Sequence, residues 1–143
     1  MKKNCTNQLQ VPLRVLLVED SIELQAMLQS MLSEIPSVEV VASVESEEDA
    51  VAFMRVDPTD LAIVDLELRS GTGLGVLKKL QDDLDLTDRQ IGVVVFSNYS
   101  NLVIRHRCLS LGARAFFDKS FQIDELLEFV QKQASGNAKG SLL

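Results

Sequence analysis

Residues 13–20 read Leu-Arg-Val-Leu-Leu-Val-Glu-Asp: a short, nearly continuous apolar run that ends abruptly on two carboxylates. The run Leu13–Val18 is β-branched at Val15 and Val18. Runs of this length without polar alternation belong to strands buried on both faces, as in parallel sheets. Three more segments repeat the pattern: Val38–Val44, Leu61–Leu66 and Ile91–Phe96. A short fifth, Ala115–Phe117, follows Gly112.

Between these runs the apolar period changes from two to three and four. After Glu19-Asp20-Ser21, residues Ile22, Leu24, Met27, Leu28, Met31 and Leu32 predict one helical stripe. It should end near Glu34, since Pro36 biases Ile35 away from helix. Either Asp20 or Ser21 can cap its start. Ser46 with Asp49 marks the start of a second helix, which stops before Asp57-Pro58. A third helix is expected over Leu74–Leu84, followed by a polar loop at Asp85–Gln90. A fourth spans Leu102–Leu111 and ends at Gly112, the residue best suited to a left-handed stop. The last runs from Ile123 to Gln133, with Asp124 and Glu125 favourably placed in its first turn.

Five strands alternating with five helices predict an α/β fold, a parallel sheet covered on both faces. Residues 1–12 read as a flexible N-terminal tail, 13–134 as one domain, and 135–143, rich in Gly, Ser and Lys, as a flexible C-terminal tail.

Composition narrows the function. The 143 residues carry a formal net charge of −7, a poor match to nucleic acid, which needs a basic footprint. No apolar run is long enough to span a bilayer, and no secretion signal follows the basic start. Cys5 and Cys108 form neither a disulfide framework nor a metal spacing. The expectation is a cytoplasmic protein with free thiols and no membrane contact.

In open α/β sheets, ligands bind beyond the carboxyl ends of the strands. The strands deliver Glu19 and Asp20, Asp65, Ser97 and Lys119 to that edge. Clustered carboxylates repel unless a cation is present. A hard dication with oxygen ligands, Mg²⁺ above all, relieves this and tends to be completed by phosphate. A carboxylate can also act as nucleophile toward a phosphoryl group, whose charge Lys119 and Ser97 could balance.

These residues carry a resemblance. Val-Leu-Leu-Val-Glu-Asp-Ser (15–21), Leu-Ala-Ile-Val-Asp-Leu (61–66), Gly-Thr-Gly-Leu (71–74), Val-Val-Val-Phe-Ser (93–97) and Gly-Ala-Arg-Ala-Phe-Phe-Asp-Lys (112–119) resemble the receiver domains of two-component response regulators, over roughly residues 13–134. The resemblance implies a flavodoxin-like (βα)5 fold with strand order 2-1-3-4-5. It implies Asp65 as phosphoacceptor, and Mg²⁺ held by Asp20 directly, by Glu19 through water, by Asp65 and by the backbone carbonyl of Glu67. Ser97 and Lys119 would engage the phosphoryl group. Phe116 would follow Ser97 as the second switch residue and reshape the face made by the fourth helix, fifth strand and fifth helix.

The implied partners are a histidine kinase or histidine phosphotransfer protein, and a downstream protein or second copy docking on that face. With the chain ending soon after its last helix, no attached output domain is expected.

Two positions depart from the family pattern. Ser120 stands where Pro usually follows the lysine, often in a cis bond. Without proline a cis bond costs about 3–4 kcal/mol, which favours trans. Asn98 stands where a small residue usually follows the switch hydroxyl, and would narrow access to Asp65. Glu67 and Tyr99 occupy positions that tune dephosphorylation in the family.

Other readings compete. Asn98 and Ser120 favour a phosphorylation-independent binding module on the same fold. A metal-dependent phosphohydrolase with an aspartyl nucleophile would need a second acid, for which only Glu67 stands near, and a substrate-holding segment that is absent. Gly71-Thr-Gly-Leu-Gly75 looks like a nucleotide-binding turn, but Val76 stands where the third glycine belongs and the turn follows the third strand, so a tight connection is the better reading. Arg105-His106-Arg107 is a solvated helix face or a docking surface. Its single histidine cannot build a zinc site.

Overall fold

The computed structural model describes residues 11–140. The expected N-terminal tail lies almost entirely outside them. Five strands, β1 (Leu13–Val18), β2 (Val38–Val44), β3 (Leu61–Val64), β4 (Gly92–Ser97) and β5 (Ala115–Asp118), form one sheet in the order β2-β1-β3-β4-β5. Every neighbouring pair is parallel. The long helices are α1 (Ile22–Ser33), α2 (Glu47–Val56), α3 (Gly73–Asp82), α4 (Leu102–Ser110) and α5 (Ile123–Gly140).

The continuous apolar runs follow from the topology. The central strands are buried along almost their whole length, whereas edge strands β2 and β5 keep partly open residues. Alternate side chains feed two cores. Leu16, Val18, Ala62, Val64, Val93 and Val95 pack on one face with Met54 and Leu77. Val15, Leu17, Leu61, Ile63, Val94 and Phe96 pack on the other with Leu28, Leu32, Leu126 and Val130. Truncating any of the buried leucines to alanine costs about 2–5 kcal/mol, so both faces are needed for stability.

Register positions the site. Val18 lies opposite Val64, and Val64 opposite Val95, so neighbouring strands terminate together. The next residues, Glu19 and Asp65, therefore emerge side by side. Asp65 N–H still donates to Val18 O at 3.0 Å before the chain turns away.

Several boundaries depart from the sequence reading. Strand pairing in β3 stops at Val64, so Asp65 and Leu66 belong to the loop. Where the third helix was expected to end and a polar loop to begin, the chain instead makes a separate helical turn, Leu84–Thr87, capped by Asp83 and anchored by the buried Leu86. In α1, Leu28 and Leu32 are buried but Ile22 is 70% and Met27 39% exposed. At about 100° per residue, Ile22 falls about 120° round the helix from Leu28, off the stripe that meets the sheet. Finally, α5 continues to Gly140, through residues expected to be a loose tail, with Ala134 buried against the sheet.

Candidate phosphoacceptor and metal site

Glu19 and Asp65 are buried, and Asp20 is the most open of the three acids. One carboxylate oxygen from each lies within 4.8 Å of the others. Ser21 hydroxyl accepts from Leu24 N–H at 3.2 Å and so caps α1. That settles the choice between Asp20 and Ser21 as the cap. Glu19 is held by Ser21 N–H, which donates to its Oε2 at 3.0 Å, while the Gln25 amide donates to its backbone carbonyl.

Lys119 enters from the end of β5. Its Nζ lies 2.7 Å from Asp65 Oδ2 and 2.8 Å from Glu19 Oε1. The peptide bonds of the described residues are all trans, Lys119–Ser120 included. Serine in place of proline thus leaves the lysine in reach of the acids. Burial works against the Lys119 charge, but hydrogen bonds and attraction from Asp65 and Glu19 outweigh it and hold its pKa above the ordinary lysine value. Burial dominates at Glu19 and raises its pKa, against the lowering effect of Lys119 and Ser21.

Three carboxylates share one ammonium here, so negative charge remains. Hard oxygen donors around a charge deficit are what a dication such as Mg²⁺ requires. The residues present fit a metal, with Glu19, Asp20 and Asp65 as its donors.

Ser97 is buried at the end of β4, its hydroxyl accepting from Tyr99 N–H at 3.2 Å. Phe116 is buried too, with the Arg105 guanidinium 5.0 Å from its ring centroid. Glu67 follows in the β3–α3 loop, its N–H 3.4 Å from Asp65 Oδ1. Tyr99 stands half exposed at the rim.

Sequence reasoning missed one network here. Asp118, just before Lys119, is buried. Its carboxylate accepts from the Ser100 hydroxyl and, at 2.7 Å, from Ser120 N–H. These hydrogen bonds, Ser100's first, hold its pKa below the ordinary carboxylate value. Its adjacency to Lys119 was visible in the sequence, but its pairing with Ser100 depends on the β4–β5 register.

A doubly wound parallel sheet carrying an acid cluster, a lysine and a buried hydroxyl at its carboxyl edge defines a receiver-type signalling module. The chain belongs to the response regulator receiver domain family, whose model matches residues 15–131. It is 29% identical over 125 residues to a protein-glutamate methylesterase/protein-glutamine glutaminase of Trichodesmium erythraeum (strain IMS101), covering 84% of this chain and 34% of that protein. The chain thus spans about a third of that relative's length. Among solved structures, the signal receiver domain of a putative Luxo repressor protein from Vibrio parahaemolyticus is 26% identical, with a TM-score of 0.75, covering 90% of this chain and 94% of that one. The Mn(2+)-bound form of response regulator Rcp1 is also 26% identical, with a TM-score of 0.70, covering 85% and 91%. Among the described residues, no helix is long and apolar enough to cross a membrane.

Proposed function

We propose that Asp65 accepts a phosphoryl group from a phosphohistidine donor, a histidine kinase or a histidine phosphotransfer protein, in a Mg²⁺-dependent reaction. The observation that carries this is the Lys119 ammonium lying between Asp65 and Glu19 inside the three-acid cluster.

In the step, one Asp65 carboxylate oxygen attacks phosphorus in line with the scissile bond. The new O–P bond forms as the P–N bond to the donor imidazole breaks, and the bonding pair leaves with that nitrogen. Asp65 becomes an acyl phosphate. Lys119 exchanges its contact with Asp65 for the phosphoryl oxygens, and the Ser97 hydroxyl donates to another. Glu19, Asp20, Asp65 and the Glu67 carbonyl would hold Mg²⁺, which supplies positive charge against the transferring phosphoryl oxygens. Asp65 is a nucleophile poised beside its charge partners, which is the arrangement phosphoryl transfer needs: positioning and electrostatics more than covalent chemistry.

The output is a change of binding surface. Drawing Ser97 inward removes its hydroxyl from Tyr99 N–H and frees space toward Phe116, altering the α4-β5-α5 face. On that face α4 carries Leu102, Val103 and Leu109, all exposed, beside Arg105 and His106. A downstream protein or a second copy would dock there. The net charge of −7 argues against direct nucleic-acid binding.

Incubation with Mg²⁺ and acetyl phosphate, followed by intact-mass measurement, tests the reading. A Mg²⁺-dependent phosphoryl adduct, lost in Asp65→Asn, is expected. Absence of an adduct from either protein, with phosphohistidine donors as well as acetyl phosphate, would favour a phosphorylation-independent binding module.

A further inference from the structure

We propose that Glu47, at the start of α2, is a positioning residue for the metal site, because its carboxylate fixes the β3–α3 loop that offers the Glu67 carbonyl. The proposal rests on the reading of the acid cluster as a metal site.

Four observations converge on Glu47. Its Oε1 accepts from Thr72 N–H at 3.0 Å. Its own N–H donates to Ser70 O at 3.1 Å, beside a parallel bridge between Ser46 and Ser70. A Cβ added at Gly71, whose φ is +77°, would overlap the Glu47 side chain. A Cβ added at Gly75 would overlap its carboxylate. The glycine-rich stretch 71–75 is therefore shaped around a carboxylate from another helix.

The loop transmits this restraint. Glu67 and Thr72 form an antiparallel bridge, and Gly73 N–H donates to Leu66 O at 3.1 Å. Whatever holds Thr72 thus holds the main chain at Glu67, two residues beyond Asp65. A backbone carbonyl binds a cation well only if it is already aimed. Outer groups that orient a ligand are worth about 10–100-fold in metal affinity. A purely structural Glu47 would instead stabilise the start of α3, with no effect on metal.

The test is Mg²⁺ titration by calorimetry of wild type, Glu47→Ala, Glu47→Asp and Glu47→Gln, beside metal-free urea unfolding and hydrogen exchange. Glu47→Gln keeps reach and acceptor but not charge. Glu47→Asp keeps charge and loses reach. Expected are Mg²⁺ affinities about 10-fold weaker in Glu47→Ala and Glu47→Asp, near wild type in Glu47→Gln, and faster exchange over residues 67–72 in the two weakened variants. Unchanged affinity in Glu47→Ala or Glu47→Asp, with stability lowered, would overturn the proposal and leave a structural role. Equal losses in Glu47→Gln and Glu47→Ala would assign the effect to charge and overturn positioning. A wild type that does not bind Mg²⁺ would remove the metal site itself, and this role with it.

Discussion

The Ser120 hydroxyl donates to the Asn98 side-chain carbonyl across 3.3 Å, so the two residues that depart from the family pattern touch each other. They join the β4–α4 loop to the β5–α5 turn at the rim of the Asp65 site. Two further ties run alongside: Lys119 N–H donates to Ser97 O at 3.1 Å, and the Ser100 hydroxyl to Asp118. Asn98 and Ser120 therefore form one hydrogen-bonded pair instead of two separate departures.

If that pair limits access to Asp65, Asn98→Ala and Ser120→Ala should each speed phosphorylation by acetyl phosphate. One hydrogen bond is worth about 0.5–1.5 kcal/mol, or about 2- to 10-fold in rate. The double variant should gain little beyond either single one, since both remove the same bond. Time courses of the phosphoryl mass adduct measure this. Rates equal to wild type would show that the pair does not gate the site.

Lys119→Met should destabilise the protein by about 3 kcal/mol at neutral pH, because it leaves Glu19 and Asp65 buried without their cation. Burial already raises the Glu19 pKa from its ordinary value. Losing Lys119 would raise it further, so protonation on mild acidification should recover part of the loss. Mg²⁺ should recover more. Urea unfolding between pH 7 and 5, with and without Mg²⁺, decides it, and a pH-independent, Mg²⁺-independent loss would contradict the electrostatic account.

Asp118 should make the protein acid-sensitive. Its folded pKa lies below the unfolded value, so its contribution to stability is fully present above about pH 4, where the unfolded carboxylate is ionised. It is lost as pH falls through the folded pKa. The stability gap between wild type and Asp118→Asn should therefore be widest near neutrality and close below about pH 4. Urea midpoints for the two proteins across that range check the sign; a gap that widened in acid would refute it.

Cys108 is fully buried, and burial raises its thiol pKa against the small opposing effect of Arg107. It should stay unmodified by a thiol reagent in the native protein and react on unfolding in urea. Peptide mapping after labelling distinguishes it from Cys5, which lies outside the described residues. Rapid native labelling of Cys108 would mean that α4 opens locally.

Much of this architecture is local and so was legible in the chain. Uninterrupted apolar runs such as Leu13–Val18 reflect central strands buried on both faces. Ser46 and Gly112 act where helix-end chemistry needs them, Ser46 accepting from Asp49 N–H and Gly112 adopting a φ of +104°. Because β1, β3, β4 and β5 each end on or run directly into polar residues, the strand-end rule alone grouped Glu19, Asp20, Asp65, Ser97 and Lys119. What tertiary structure decided lies in contacts between segments far apart in sequence. The Val18–Val64 register sets Glu19 beside Asp65, and Lys119 bridges them. Asn98 meets Ser120, Ser100 meets Asp118, and Glu47 fills the space that Gly71 and Gly75 leave open. Periodicity reports which face of an element is apolar. It carries no record of which side chains from different elements share a few ångströms of space, because that depends on how the sheet aligns its strands and how the helices pack across it.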